Sequence, residues 1–324
     1  MQKILVAGGG GFIGGHLIRR LLKKNYVIRC VDIKPKIEWY QKFDQCENLQ
    51  LDLEDKGNCE LAVKDCEWVF NLACNMGGMG FIENNKALCM LSVLVNTHLL
   101  MASKKFNVQK YFFSSSACAY NTNLQKNTSI KGLKEADAYP AMPEDGYGWE
   151  KLFSERMCRH FTEDYNIDTK VARFHNIYGP NGTYDGGREK APAAICRKIA
   201  MAKKNMEKSI EVWGDGQQTR SFLYIDDCID AVLKLFDSDI NEPINIGSEE
   251  QVSINQMIDM VEGIAEYKVE RNYLLDKPKG VRGRSSDNSL IEKKLQWKPK
   301  FSLKEGLEKN YHWINQKSCK TILL

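Results

Sequence analysis

The amino-acid sequence predicts an α/β protein with a doubly wound parallel sheet and a smaller C-terminal lobe. Short apolar segments alternate with amphipathic segments through its first half, which is typical of parallel strands covered by helices on both faces. After Gly179 this pattern loosens into shorter elements. We therefore expect residues 1–179 and 221–249 to form the sheet domain, and residues 180–220 and 250–324 to form the lobe.

The expected elements follow one another in chain order. An amphipathic helix is expected over residues 11–25, where Ile13, Leu17 and Leu21 recur at helical spacing. A longer helix is expected between Asn84 and Lys105. The expected strands read KILVAG, VIRCVD, EWVFNLA, KYFFSSS, KVARFHNIYG and PINIG.

Composition and charge argue against several classes of function. The 324 residues carry a net charge of +4 without a long basic run, so neither nucleic acid nor a membrane surface is indicated as a partner. No N-terminal targeting signal is expected, because the first strand begins at Gln2 or Lys3. No membrane-spanning segment is expected either, because no apolar stretch approaches the ~20 residues that a span needs.

The cysteines indicate a reducing environment. There are eleven, an odd number, scattered through expected strands and helices without a Cys-x-x-Cys pair. This pattern favours reduced thiols and a cytoplasmic protein over a disulfide framework. The five histidines show no metal-ligand spacing with them, so no metal site is expected.

A glycine-rich turn joins the first expected strand to the first expected helix. Gly8, Gly11 and Gly14 are spaced three apart in AGGGGFIGGHL, and Phe12 and Ile13 lie among them. Glycines at this spacing allow a tight turn and bring the N–H groups of the helix N-terminus close to a pyrophosphate. The turn therefore predicts a Rossmann-like dinucleotide site that includes these five residues.

An acidic residue ends the second expected strand. Asp32 follows Gly14 by 18 residues, near the spacing of a carboxylate that binds the adenosine ribose. Its charge would repel a 2′-phosphate, which favours NAD over NADP as the cofactor. Asp52 and Leu53 follow in LDLED, where we expect them beside the adenine; a solvated turn is the alternative for Asp52.

The segment YGWEK places Tyr147 and Lys151 four residues apart at the start of an expected helix, on one face. A tyrosine can act as acid and base when a nearby ammonium lowers the pKa of its phenol, and the same lysine can bind the nicotinamide ribose. Alone, this spacing is common in solvated helices. Together with the glycine turn and the serine-tipped strand, it predicts a redox site.

These motifs resemble the extended short-chain dehydrogenases/reductases, the NAD-dependent epimerases and dehydratases that act on nucleotide sugars. The resemblance covers nearly the whole chain. It implies a Rossmann fold that binds NAD, a catalytic set of Ser116, Tyr147 and Lys151, a C-terminal lobe that holds the sugar nucleotide, and a homodimer. The matching strings, in order after the glycine turn, are NLA, SSS, YGWEK, RFHNIYGP and GDGQQTRSFLYIDD.

Other strings resemble the branch of this family that epimerises GDP-mannose at C3 and C5. They are NMGGMGF, SSAC, GGREKAPAAICRK, QTRSF and GVRGRSSDN. The resemblance implies Cys118 and Lys190 as the two proton carriers. The chemistry suits both, because a thiol has a pKa near ~8.5 and burial lowers the pKa of a lysine from ~10.4. In isolation, such a cysteine is more often a packing residue and such a lysine is usually solvated.

The same resemblance places further side chains around the nucleotide sugar, which is GDP-mannose or a related GDP-hexose or GDP-heptose. Arg220 and Arg284 suit the diphosphate, because a guanidinium fork binds phosphate oxygens well. Lys198 would add positive charge to the same pocket. The residues expected to contact the sugar are Gly77, Ser116, Cys118, Asn176, Glu189, Lys190 and Gln218.

Three other functions remain open from the residues. A sugar-nucleotide 4-epimerase uses the same oxidation at C4 but does not require Cys118 or Lys190. A 4,6-dehydratase usually carries an acidic pair after the strand serines, where this chain has Ala117 and Cys118. A dinucleotide-binding sensor without turnover can lose its catalytic pair, but Tyr147 and Lys151 are both present.

Overall fold

The computed structural model describes residues 2–320, with side chains as far as residue 318. The strands are β1 Lys3–Ala7, β2 Val27–Asp32, β3 Glu47–Gln50, β4 Trp68–Asn71, β5 Lys110–Ser116, β6 Asp168–Phe174, β7 Ile177–Tyr178, β8 Ser209–Trp213, β9 Thr219–Ser221, β10 Leu223–Tyr224, β11 Ile244–Ile246, β12 Gln251–Ser253, β13 Glu270–Leu274 and β14 Gly283–Arg284. The helices are α1 Phe12–Leu22, α2 Lys56–Val63, α3 Met79–Asn84, α4 Lys86–Lys105, α5 Tyr147–Tyr165, α6 Ala191–Asn205, α7 Ile225–Phe236, α8 Ile254–Ala265, α9 Ser289–Leu295 and α10 Leu303–Lys320.

Seven strands form one parallel sheet in the order β11-β6-β5-β4-β1-β2-β3. The chain builds one side of the sheet from β1 outwards to β3, and then builds the other side from β4 outwards. This reversal leaves a crevice at the carboxyl ends of β1 and β4, which is where open α/β sheets bind ligands. The arrangement confirms the predicted doubly wound, Rossmann-like fold.

The sheet is buried on both faces. In β1, Ile4 and Val6 pack into one hydrophobic core while Leu5 and Ala7 pack into the other. Strands covered on both sides read as continuous apolar runs, which is why β1 shows no alternation of polar residues. The two cores hold the strand ends in fixed positions, so residues that follow the strands are presented from a rigid platform.

One predicted strand, KVARFHNIYG, is divided in the structure. β6 ends at Phe174, and β7 pairs with β10 outside the seven-stranded sheet. Between them Asn176 adopts a φ of 47°, and its Nδ2 donates a hydrogen bond of 3.0 Å to the carbonyl oxygen of Ser221. A left-handed residue cannot continue an extended strand, so the chain turns away from the sheet at this point.

Besides the β7–β10 pair, two further small sheets lie in the C-terminal half of the described residues. β8 pairs with β13, and β9 lies between β12 and β14. The helices α6, α8 and α10 pack against one another beside β8. Within the second sheet, the register places Arg220 of β9 opposite Arg284 of β14.

The helix α4 corrects one expectation from the sequence. An apolar stretch does approach the length of a membrane span, because α4 has 20 residues, and its apolar window has a mean hydropathy of 1.4 and is 44% buried. By length and composition α4 is able to cross a membrane, although a core helix passes the same test. Its buried Asn96 accepts hydrogen bonds from Asn71 and Tyr111 of the sheet, as a core helix would.

Candidate active site

A cleft of about 310 Å³ lies at the carboxyl ends of the central strands. The glycine turn follows β1, Asp32 ends β2, and Ser116 ends β5, so the parallel sheet brings them to one edge. The predicted site residues that line the cleft are Gly8, Gly11, Phe12, Ile13, Gly14, Asp32, Asp52, Leu53, Ser116, Tyr147 and Lys190.

The glycine turn is shaped to receive a pyrophosphate. Gly8 adopts a φ of 78°, and the N–H groups of Gly8 and Gly9 both donate to one carbonyl of β2, at 2.8 and 3.1 Å. A Cβ atom on Gly14 would collide with the carbonyl oxygen of Gly8. Because the N-cap Gly11 has no side chain, the first N–H groups of α1 remain available to an anion. The turn therefore fits the pyrophosphate of NAD.

Asp32 lies beside this turn. It is 7% exposed, and its Oδ1 accepts a backbone N–H at 3.1 Å. Its Oδ2 lies 4.0 Å from the position that a Cβ on Gly11 would take. A carboxylate here suits the ribose hydroxyls of a dinucleotide whose pyrophosphate sits on α1. Farther along the cleft, Asp52 accepts a hydrogen bond of 2.9 Å from the N–H of Glu54, and Leu53 is buried.

Tyr147 and Lys151 lie in the first turns of α5, as the sequence predicts. The Nζ of Lys151 is 5.3 Å from the ring centre of Tyr147 and 3.2 Å from a carboxylate oxygen of Glu150. Burial opposes the charge of Lys151, but the interactions with Cys74 and Glu150 outweigh burial and raise the lysine pKa. Lys151 is therefore a buried ammonium next to a phenol.

The pKa of the Tyr147 phenol differs from the sequence-based expectation. Burial raises the pKa of Tyr147 well above its ordinary value, and the neighbouring thiols of Cys74 and Cys118 raise it further. The ammonium of Lys151 does not reverse this, because Glu150 partly neutralises it at 3.2 Å. In this structure Tyr147 is a neutral phenol, and the expected lowering of its pKa is wrong for the chain's own groups.

The three serines at the end of β5 have different partners. Ser114 donates to the carbonyl oxygen of Asn71 at 3.1 Å, and Ser115 donates to Glu155 at 2.5 Å. Ser116 instead accepts the N–H of Cys118 at 3.2 Å. Its own hydroxyl donates to no partner among the described residues, so it is available to a ligand in the cleft.

Cys118 lies in a short 3-10 turn directly after β5. It is 6% exposed and belongs to a small buried cluster with Tyr147 and Cys89. Burial raises the pKa of its thiol to about 11; the charge of Glu144 adds to the increase and that of Arg284 opposes it. At neutral pH Cys118 therefore carries its proton.

Lys190 is the N-cap residue of α6 and lines the cleft. Burial lowers the pKa of its amine, while the thiols of Cys118 and Cys74 act in the opposite direction. Among residues 2–318, no hydrogen bond or ion pair engages its Nζ. Lys190 and Cys118 thus have opposite tendencies, since the amine loses its proton more readily than usual and the thiol less readily.

The two predicted diphosphate residues lie close to Cys118. Arg284 contacts Glu144 through Nη2 at 2.6 Å and has its Nη1 3.5 Å from the Sγ of Cys118. Arg220 donates to three backbone carbonyls, at 2.6 to 3.2 Å, and has no carboxylate partner among residues 2–318. Burial and the charge of Arg284 lower the pKa of Arg220 to about 10. An anion would stabilise this cation.

The other predicted sugar-nucleotide residues are held by protein partners. Lys198 donates to a backbone carbonyl at 2.7 Å on the surface, and Glu189 accepts from the N–H of Gly187 at 2.7 Å. Gln218 donates to a backbone carbonyl at 2.9 Å, while its buried Oε1 has no partner among the described residues. Gly77 packs so closely on Phe81 that a Cβ atom would lie 2.8 Å from it.

The cleft does not reach every predicted residue. Those outside its lining are Gly77, Cys118, Lys151, Asn176, Glu189, Lys198, Gln218, Arg220 and Arg284.

Sequence analysis missed three side chains. Arg188 lines the cleft with its guanidinium 4.0 Å from the ring centre of Phe81, and Cys74 lines it beside Tyr147. Their positions within GGREKAP and directly after NLA were available signals. Glu144, the partner of Arg284, lies in a loop whose sequence gives no signal of this contact.

Comparison with known proteins agrees with this geometry. Residues 4–247 match the model of the NAD dependent epimerase/dehydratase family. The GDP-mannose 3,5-epimerase of Arabidopsis thaliana is 45% identical over 316 residues, which cover 97% of this chain and 82% of the relative.

Solved structures share the fold. The UDP-glucose 4-epimerase of Thermotoga maritima, solved with UDP-glucose, has a TM-score of 0.88 at 26% identity, covering 98% of this chain and 100% of that chain. The UDP-glucuronic acid 4-epimerase of Bacillus cereus, solved with UDP-glucuronic acid and NAD, has a TM-score of 0.83 at 28% identity, with the same coverage. The chain therefore belongs to the NAD-dependent epimerase/dehydratase family, and its cofactor is NAD.

Proposed function

We propose that this chain is an isomerase that converts GDP-D-mannose to GDP-L-galactose by NAD-dependent epimerisation at C3 and C5. The 45% identity to the Arabidopsis GDP-mannose 3,5-epimerase supports it. The observation that carries it is the position of a thiol and an amine near Tyr147, since Cys118 packs in one cluster with Tyr147, and Lys190 lines the cleft that Tyr147 also lines. A 4-epimerase needs neither carrier.

The reaction begins with oxidation at C4. Tyr147 removes the proton of the C4 hydroxyl, and the ammonium of Lys151, 5.3 Å from the ring centre, stabilises the phenolate. NAD, held by the glycine turn and Asp32, would supply the hydride acceptor for C4 and a positive charge that favours the phenolate. The hydroxyl of Ser116 donates a hydrogen bond to the C4 oxygen.

Proton exchange at C3 and C5 follows, because a ketone at C4 makes both neighbouring hydrogens acidic. Inversion needs one group to remove a proton from one face of the ring and another to return a proton to the opposite face. The amine of Lys190, whose pKa burial lowers, suits the base. The thiol of Cys118, with a pKa of about 11, suits the acid.

The diphosphate of the substrate fits the cationic side of the site. Arg220 is a half-buried cation whose partners among the described residues are all backbone carbonyls, and an anion would relieve the cost of its burial. We therefore assign NAD binding to residues 1–179 and 221–249, and sugar-nucleotide binding to residues 180–220 and 250–324.

Incubation with GDP-mannose in deuterated water tests the proposal. NMR of the product should show GDP-L-galactose carrying deuterium at C3 and C5. Product inverted only at C4, without ring deuterium, would instead indicate the activity named for the structural neighbours from T. maritima and B. cereus. Parallel reactions with other GDP-hexoses and GDP-heptoses would identify a related substrate.

We also propose a homodimer formed through α4 and α5. The two helices pack together, and a large apolar exposed surface commonly marks an interface that a twofold pairing can cover. Leu91→Glu should convert the dimer to a monomer in light scattering, whereas Leu61→Glu on α2 should not; a monomeric wild type would refute the dimer. Exposed apolar side chains of α4 and α5 include Leu88, Met90, Leu91, Leu94, Met101, Trp149 and Phe153.

A reducing, cytoplasmic location is a further part of the proposal. The ten cysteines whose side chains the structure describes are free thiols, and nine of them are buried; the side chain of Cys319 lies outside the described residues. Buried thiols of this kind persist in a reducing compartment. Cell fractionation with detection of this chain would test the location.

A further inference from the structure

Four buried side chains from separate segments meet behind the cleft. Arg284 donates through Nη2 to Glu144 at 2.6 Å and through Nε to Gln125 at 2.7 Å, while its Nη1 lies 3.5 Å from the Sγ of Cys118. Each of the four residues is at most 9% exposed. One guanidinium therefore joins a carboxylate to the thiol that the proposed function uses.

The carboxylate determines which form of the thiol is stable. An arginine next to a thiol normally favours the thiolate. Here the charge of Arg284 is already paired with Glu144, so a thiolate at Cys118 would leave one excess negative charge among these four side chains. The Oε2 of Glu144 is also buried without a hydrogen-bond partner among residues 2–318. A second buried anion beside this oxygen would be unfavourable.

The backbone fixes this geometry. The N–H of Glu144 donates to the carbonyl oxygen of Cys118 at 3.0 Å, so the loop before α5 is tied to the turn after β5. The N–H of Cys118 in turn donates to Ser116 at 3.2 Å. The thiol and the carboxylate are therefore held side by side by main-chain contacts that a change of the Glu144 side chain would leave in place.

We propose that Glu144 is a positioning residue that holds Cys118 as a protonated thiol by neutralising Arg284, and thereby makes Cys118 the proton donor of the site. Its catalytic part rests on the proposed epimerase function. In that step the proton moves from Sγ to the ring carbon of the enolate formed next to the C4 ketone. The thiolate left behind lies 3.5 Å from the Nη1 of Arg284, which stabilises it while Nη2 keeps Glu144.

The protonation states of Glu144 and Cys118 agree with this assignment. Burial opposes the charge of Glu144, but Arg284, Cys118 and Arg220 outweigh it and lower the carboxyl pKa, so Glu144 is an anion. The same anion, after burial, raises the pKa of the Cys118 thiol. The other titratable or charged groups that interact with the pair are Tyr147 of α5, Lys190 at the start of α6 and Arg220 of β9; Cys74, after β4, interacts with Tyr147 and Lys190.

The protonation of Cys118 can be measured without substrate. The NAD-loaded protein is alkylated with iodoacetamide across a pH series, and mass spectrometry of the Cys118 peptide gives the pH midpoint of the rate. The wild-type midpoint should lie well above the ~8.5 of an ordinary thiol. Glu144→Gln keeps the shape but removes the charge, so its midpoint should fall and its rate at pH 8 should rise about tenfold or more.

Two further variants make the comparison specific. Glu144→Asp retains the charge and should keep a midpoint near that of the wild type. Asp145→Asn removes the next carboxylate in the chain, which is exposed and paired with Lys86 at 2.8 Å, and should leave the midpoint unchanged. Circular dichroism and retained NAD show that each variant is folded.

Two results would overturn the inference. A wild-type midpoint at or below that of an ordinary thiol refutes the inference. This test needs no variant, so it can be made even if Glu144→Gln does not fold. Equal midpoints in folded wild type and folded Glu144→Gln refute it as well.

A second assay connects the inference to turnover. A proton donor loses activity as the pH rises through its pKa, so the alkaline limb of ring-hydrogen exchange with GDP-mannose should move to lower pH in Glu144→Gln. If the alkylation midpoints shift but no sugar nucleotide is epimerised, the proposed function fails and the role of Glu144 in protonating Cys118 stands. If epimerisation occurs but neither the alkylation midpoint nor the alkaline limb shifts, the proposed function stands and only the inference about Glu144 fails.

Discussion

Arg220 of β9 and Arg284 of β14 occupy directly opposed positions on neighbouring parallel strands. Side chains at such positions project to the same face of the sheet, so the two cations lie close together. Glu144 pairs with Arg284 at 2.6 Å, whereas Arg220 has only backbone carbonyls as partners among the described residues. One uncompensated positive charge therefore remains at the C-terminal side of the site.

This charge predicts the effect of replacing Arg220. Arg220→Gln should raise the KM for GDP-mannose about tenfold or more and change kcat less, because a charge-assisted contact to the diphosphate is lost in both ground and transition states. Steady-state kinetics measures both constants. Arg282→Gln is the matched control, since Arg282 is a half-exposed arginine paired with Asp215 at 2.8 Å, and its KM should stay unchanged. An unchanged KM in Arg220→Gln would remove it from the diphosphate site.

Tyr147 should be indispensable for turnover. Tyr147→Phe removes the hydroxyl that exchanges a proton with the C4 oxygen but keeps the ring in its buried cluster. We expect turnover to fall about 10²- to 10⁴-fold, the range typical of a lost acid–base group. Product NMR measures turnover, and fluorescence of the bound cofactor after reduction shows that the site is intact. Wild-type rates in a folded variant would exclude Tyr147 from the chemistry.

The sequence was sufficient to predict the sheet because its signals are local. β2 and β5 occur over the residues VIRCVD and KYFFSSS, where mainly apolar segments end in polar residues. The break at Asn176 was missed because it depends on a hydrogen bond to Ser221, 45 residues away in the chain. A contact of that separation leaves no periodicity to read.

In the candidate active site, too, local features could be predicted from the sequence, whereas contacts between distant segments could not. Tyr147 and Lys151 could be predicted because one helical turn sets their separation. The contact of Glu144 with Arg284 spans 140 residues and depends on how β14 is placed beside the loop before α5. The raised pKa of Tyr147 was missed for a related reason, because burial and the thiols of Cys74 and Cys118 are properties of the assembled fold.

Replacing Cys118 should separate oxidation from proton exchange. Cys118→Ala removes the proposed proton donor and leaves Tyr147, Lys151 and the glycine turn in place. We expect GDP-mannose to reduce bound NAD transiently, as seen by the absorbance of the reduced nicotinamide, while deuterium uptake is lost at one ring carbon or both. Cys158→Ala, a buried cysteine behind the sheet, is the control for loss of a thiol. Full deuterium uptake at C3 and C5 in Cys118→Ala would rule out the proposed role.

Lys190 should determine the acidic limb of the pH profile of ring-hydrogen exchange. A base must be neutral to accept a proton, so exchange at the ring should increase as the pH rises through the pKa of Lys190. Burial lowers that pKa from its ordinary ~10.4, which brings the limb towards the working range of the enzyme. Lys190→Gln should therefore lose ring-hydrogen exchange by about 10²-fold or more, together with this limb. Lys208→Gln, at an exposed position after α6, should retain both. The pH dependence of deuterium uptake measures the effect, and an unchanged acidic limb in folded Lys190→Gln would assign the base to another residue.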